Sequence, residues 1–143
     1  MAVRESRGVA DLPAVVTDTH PLLFHAAGSG VLGPRAQAQF AAAEAGKGLV
    51  YVPAAVIWEV ALLARVVRVN LHRPVRAFFD DLFSNPAYQP HDLTAAQTFD
   101  ADERRFTRDP FDGLIVAAAR DLGLPLVTRD AVIGESGSVR TLW

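Results

Sequence analysis

Ala14-Val15-Val16-Thr17-Asp18-Thr19-His20-Pro21 is an apolar, β-branched run that ends on an acid and passes at once into a proline-led helix start. The same grammar returns near the end of the chain in Leu126-Val127-Thr128-Arg129-Asp130. Continuous apolar strands, rather than alternating ones, belong to sheets covered on both faces. Between the two runs lie helix-like segments. One spans Arg35–Ala45 and stops at Gly46, and a long apolar one follows Pro53 to about Val67. Val75–Phe83 comes after Pro74, a helix from Thr94 reaches Arg105, and another opens at Asp109-Pro110 and stops at Gly123. Proline in the first turn and glycine just past the last mark these boundaries. Further strands are expected at Leu49–Val52 and Val139–Leu142, with a short extended piece at Ala87–Gln89. Strands alternating with helices predict an α/β fold with a central, mainly parallel sheet.

Open parallel sheets bind ligands beyond the carboxyl ends of their strands. Asp18 and Asp130 fall at such ends. Two further acids stand out. Glu59 is the one acid of the apolar stretch Ala54–Ala64; its helix-face neighbours Ala55, Val56, Leu62 and Leu63 offer no ion pair. Asp112 sits in Arg108-Asp109-Pro110-Phe111-Asp112-Gly113, directly before an apolar helix. Each has a plainer reading, as helix cap or first-turn acid; Glu59 is the hardest to explain that way. Desolvated carboxylates cost free energy and raise one another's pKa. Four of them on apolar segments point to a hard cation, Mg²⁺ or Mn²⁺, held by oxygen ligands.

Composition narrows the classes. The chain has 143 residues, half of them hydrophobic and 21% charged, as in one globular domain. There is no cysteine, which excludes disulfides, thiolate zinc sites and cysteine nucleophiles and fits a cytoplasmic protein. No run suits a membrane span, and the start lacks the apolar stretch of a signal peptide. Net charge is −2, so bulk charge does not mark a nucleic-acid binder. Thirteen arginines and one lysine, Lys47, supply its basic residues. Residues 1–13 show no periodicity and read as a loose extension before a domain at 14–143. Trp58 reads as core. His20, beside Asp18, is a candidate substrate contact, and His25, His72 and His91 have no metal-ligand spacing.

Four segments in order carry a family resemblance. They are Val16-Thr17-Asp18-Thr19-His20-Pro21-Leu22-Leu23, Val56-Ile57-Trp58-Glu59-Val60-Ala61, Arg108 to Ala119, and Leu126-Val127-Thr128-Arg129-Asp130. Together they resemble PIN-domain (PilT N-terminus) nucleases, especially the VapC-like toxins of toxin–antitoxin pairs. The resemblance implies an α/β/α sandwich and metal-dependent cleavage of RNA. It makes Asp18, Glu59, Asp112 and Asp130 the catalytic and Mg²⁺- or Mn²⁺-binding residues. Thr19, Asp109, Thr128 and Arg129 become supporting or substrate contacts, with Arg68, Arg73 and Arg108 as further rim cations. It also implies a VapB-like antitoxin partner and a homodimer. The sequence departs from the family's usual pattern at Ala54, Ala55 and Val56, where a small hydroxyl residue is common, and at Gly113, where a basic residue is common. Other readings are a housekeeping RNase of the same family, a phosphotransfer protein with Asp18 as nucleophile, and a non-catalytic interaction module whose acids cap helices.

Overall fold

The computed structural model describes residues 12–143. Most of the loose extension expected at 1–13 therefore lies outside the described residues. Five strands form one sheet, all pairs parallel: β1 (Ala14–Thr17), β2 (Leu49–Pro53), β3 (Tyr88–His91), β4 (Leu126–Val127) and β5 (Thr141–Leu142), in the order β3-β2-β1-β4-β5. Seven helices are found among the described residues: α1 (Thr19–Ala26), α2 (Pro34–Glu44), α3 (Ala54–Arg65), α4 (Val75–Phe83), α5 (Ala95–Arg104), α6 (Pro110–Leu122) and α7 (Ala131–Ser136). They make the sheet the middle layer of an α/β/α sandwich. None is long and apolar enough to cross a membrane.

Central position explains the strand composition. Val15, Val16 and Thr17 of β1 are buried, as are Leu49, Val50 and Val52 of β2. α6 packs on α3, α5 and β1, and Ile115 through Ala119 is buried without a break. A helix enclosed on several sides is apolar around most of its circumference. Its ends follow the local code: Asp109 accepts from the Phe111 and Asp112 N–H groups, Pro110 takes the first turn, and Gly123 closes it at φ 67°.

Differences from the sequence reading have local causes. The extended piece at Ala87–Gln89 is a full strand shifted to Tyr88–His91 and paired along β2. Pro90 obscures it, but β3 is an edge strand, where a missing N–H is tolerated. The two last strands are shorter than expected, and Asp130 caps a six-residue helix, α7, not just a turn. α3 ends at Arg65, short of Val67, whose φ is 58°. Trp58 is not core: it is 49% exposed, with Arg65 stacked 5.1 Å from its ring centre. His25 and His91 serve surface networks, with Glu44 and Tyr88 and with Asp121 respectively.

The C-terminal strand locks onto the start of α2. The Trp143 carbonyl accepts from the Arg35 and Ala36 N–H groups at 2.9 and 3.1 Å, satisfying two free donors of that helix. Gly33 makes the approach possible, since a Cβ there would lie 2.5 Å from Trp143 Cδ1 and 2.7 Å from its carbonyl. Gly33→Ala should lower stability by about 1–3 kcal/mol through overpacking. Gly30→Ala, where a Cβ meets nothing within 4 Å, should change it by less than about 0.5 kcal/mol. Urea denaturation of both variants checks the contrast.

Candidate active site

Chain order reverses at β1: β2 lies on one side and β4 on the other. The crevice beyond the carboxyl ends of these two strands is where an open parallel sheet binds ligands. Asp18 follows β1 and Thr128 follows β4. Asp18 N–H donates to the Val127 carbonyl at 3.0 Å, and Thr128 Oγ1 donates to Asp18 Oδ2 at 2.8 Å. The other Asp18 oxygen accepts from Thr19 N–H at 2.8 Å and so caps α1. Thr19 Oγ1 in turn donates to Glu59 Oε1 at 2.5 Å, which ties α3 to the strand end. Asp130 accepts from the Val132 and Ile133 N–H groups, and its own N–H donates to Thr128 Oγ1. Thr128 is thus the link between Asp18 and Asp130.

These carboxylates feel one another's charge. Asp18 is 8% exposed. Burial pushes its carboxyl up, outweighing the stabilising bonds from Thr128 and Thr19 and the nearby His20, while Asp130 adds to the rise. Burial also pushes Glu59 up against the Thr19 bond, helped by the charges of Asp109 and Asp18. Asp112, at the third position of α6, is the most affected. Burial first, then Asp109, Asp18, Asp130 and Glu59 in turn, drive its pKa up to about 7. Every one of these influences disfavours its charge: burial strips its solvation and the surrounding carboxylates repel it.

Asp18, Glu59, Asp112 and Asp130 therefore share one electrostatic neighbourhood, and Asp109 belongs to it. The family resemblance makes Asp109 only a supporting or substrate contact. It does cap α6, yet it is also the strongest charge acting on Asp112 and Glu59. Thr19 and Thr128 bond to carboxylates. Among the described residues, no three histidine, aspartate or glutamate side chains stand gathered as a ready coordination shell. Several oxygens are turned instead to hydroxyl and backbone donors.

A cleft of ≈480 Å³ opens from Asp18 and Asp130, walled also by His20, Phe24, Arg129 and Trp143. Glu59 and Asp112 are not part of its wall. Phe24 and Trp143 were missed in the sequence, where each reads as an isolated aromatic. Only the closeness of Trp143 to Gly33, invisible without the fold, brings it to this edge.

The PIN domain family model matches residues 15–135, and the chain belongs to that family. No curated protein sequence matches it significantly. Among solved structures, it is similar to VapBC2 from Rickettsia felis bound to a promoter DNA fragment (TM-score 0.63, 15% identity, covering 90% of this chain and 96% of that one). DNA-bound VapBC from Salmonella typhimurium is similar too (0.62, 15%, 91% and 96%). So is a toxin-antitoxin complex from Klebsiella pneumoniae (0.59, 16%, 87% and 94%). At these identities the likeness is one of fold.

Crowded carboxylates have a pH signature. A carboxyl whose pKa is raised on folding keeps its proton in the folded state where the unfolded chain has lost it. Stability is then full below the unfolded value and falls as pH climbs. For Asp112 the window runs from 3.8 to about 7, and Asp18 and Glu59 shift in the same direction. In EDTA the protein should melt at a higher temperature at pH 5 than at pH 7.5. Asp112→Asn should raise the pH 7.5 midpoint by roughly 3–6 °C, after allowance for solvent screening of a half-buried group. Scanning calorimetry across pH reads both effects.

Proposed function

We propose that this PIN-domain protein is a metal-dependent endoribonuclease acting as the toxin of a toxin–antitoxin pair. The observation that carries the nuclease reading is Asp112, a carboxyl that burial first, and then four other carboxylates, push up to about 7 near the switch point of a parallel sheet. Such crowding is costly without a counter-charge. An all-carboxylate donor set suits Mg²⁺ or Mn²⁺, so the residues fit the ion that the family implies. Asp18, Glu59 and Asp112 would hold it, with Asp130 completing the acidic set. When bound, it would supply Lewis acidity toward a phosphate and lower the pKa of a water for in-line attack.

The protein's own groups do the arranging. Thr19 and Thr128 hold Glu59 and Asp18 through hydroxyl bonds, and a cation would draw these oxygens together from those donors. A neighbouring cation favours the ionised form of Asp112, which makes occupancy and proton release linked events. Asp109 holds the start of α6 and adds negative charge at its mouth.

The toxin role and its partners are supported by the structural relatives, which include toxin–antitoxin complexes. Exposed apolar side chains at and after α3, Trp58, Val66 and Val67, give an antitoxin or a second copy of the chain a surface to cover. A housekeeping RNase of the same fold is the second reading, favoured if the chain is harmless when expressed alone.

Purified protein should cleave RNA with Mg²⁺ or Mn²⁺ and lose activity in EDTA. Asp112→Asn, close to isosteric, should cut the rate by roughly 100-fold or more, and Asp109→Asn by less. Full activity of Asp112→Asn on the same RNA contradicts the assignment. Growth arrest on expression, relieved by a coexpressed small partner and absent for Asp18→Ala, separates toxin from housekeeping enzyme.

A further inference from the structure

An acidic site that acts on a polyanion needs cations for the phosphates on either side of the one it cleaves. The cleft beside Asp18 and Asp130 has one arginine in its wall, Arg129. Its guanidinium carbon lies 5.3 Å from the Phe24 ring centre and 5.6 Å from that of Trp143. Arg73, Arg76, Arg104, Arg105 and Arg120 all sit against carboxylates. Among the described residues Arg129 is in no such pair, although Asp130 is its chain neighbour.

This arrangement is built rather than incidental. Aromatic faces attract a guanidinium without using its N–H groups. Five N–H donors in a fixed fork therefore remain for an anion. Holding the plane in advance reduces the freedom lost when two parallel bonds form. Trp143 is itself fixed, its carbonyl bound to the first N–H groups of α2 and its ring close to Gly33. Phe24 belongs to α1, the helix capped by Asp18. The platform and the acid edge thus share the helix that Asp18 caps.

We propose that Arg129, braced by Phe24 and Trp143, binds the backbone phosphate of a nucleotide flanking the scissile bond in single-stranded RNA. The inference rests on the nuclease reading. The cleft favours RNA over an acidic peptide because it offers half-buried aromatic edges beside the guanidinium. A nucleotide supplies a base as well as a phosphate to match them. Arg129 acts in substrate binding and has no part in bond breaking.

Steady-state cleavage of single-stranded RNA across a salt series tests this. Arg129→Gln should raise KM roughly tenfold, the effect of losing a charge-assisted bond. It should also flatten the slope of log kcat/KM against log salt by ~0.7, one phosphate contact on a single strand. Arg129→Lys should restore the slope but only part of the affinity, since lysine keeps the charge and loses the braced plane. Arg76→Gln, on the exposed face of α4, should leave both unchanged. If Arg129→Gln matches wild type in KM and salt slope while wild type cleaves, the subsite falls and the nuclease stands. Loss of binding to a coexpressed partner with an unchanged KM for RNA also overturns it, in favour of an acidic peptide. If wild type cleaves no RNA with either metal, both proposals fall together.

Discussion

The hydrogen bond from Thr128 to Asp18 holds together what the rest of the site depends on. It spans β1 and β4 at the point where strand order reverses, and it keeps a buried carboxylate aimed along the sheet edge. Without such donors a carboxylate that is 8% exposed would face the cost of desolvation alone. Thr19 extends the arrangement by serving Asp18 through its backbone and Glu59 through its hydroxyl. Two threonines thereby place acids from β1 and α3 in one neighbourhood, and the starts of α6 and α7 bring Asp112 and Asp130 beside them.

That geometry carries two demands in opposition. Helix starts welcome carboxylates, because their free N–H groups and dipoles favour negative charge. Asp18, Asp109 and Asp130 each satisfy such a start. Asp112 draws no comparable compensation, and the charges of the other four fall on it. The helix-capping and cation-binding readings of these acids are therefore not rivals. Capping is what fixes three of the carboxylates in position, and the frustration left over is concentrated on one residue.

Much of this was legible in the sequence. Strand ends at Asp18 and Asp130, proline-led helices and glycine stops are local signals, and they survive because tertiary packing agrees with them. Pro90 hid β3, because tolerance of proline depends on edge position, which is a property of the whole sheet. Trp58 lies outside the core, and a large aromatic in an apolar helix gives no local hint of which face meets the sheet. The role of Trp143 was out of reach for a different reason: its partners, Gly33 and Arg129, lie far from it or gain meaning only once β5 is placed beside β4. The charge of Asp109 on Asp112 is hidden in the sequence because its N-cap position is a sufficient local reason for an acid there.

The central claim is that the crowded carboxylates are made for a divalent cation. Calorimetric titration of the protein with Mn²⁺ and Mg²⁺ at pH 6.5, repeated in buffers of different ionisation enthalpy, tests it most directly. Because burial and the neighbouring carboxylates push Asp112 up to about 7, binding should release protons, and the release should shrink in Asp112→Asn. Absence of binding at millimolar metal, or binding with the same proton release in that variant, would contradict the account.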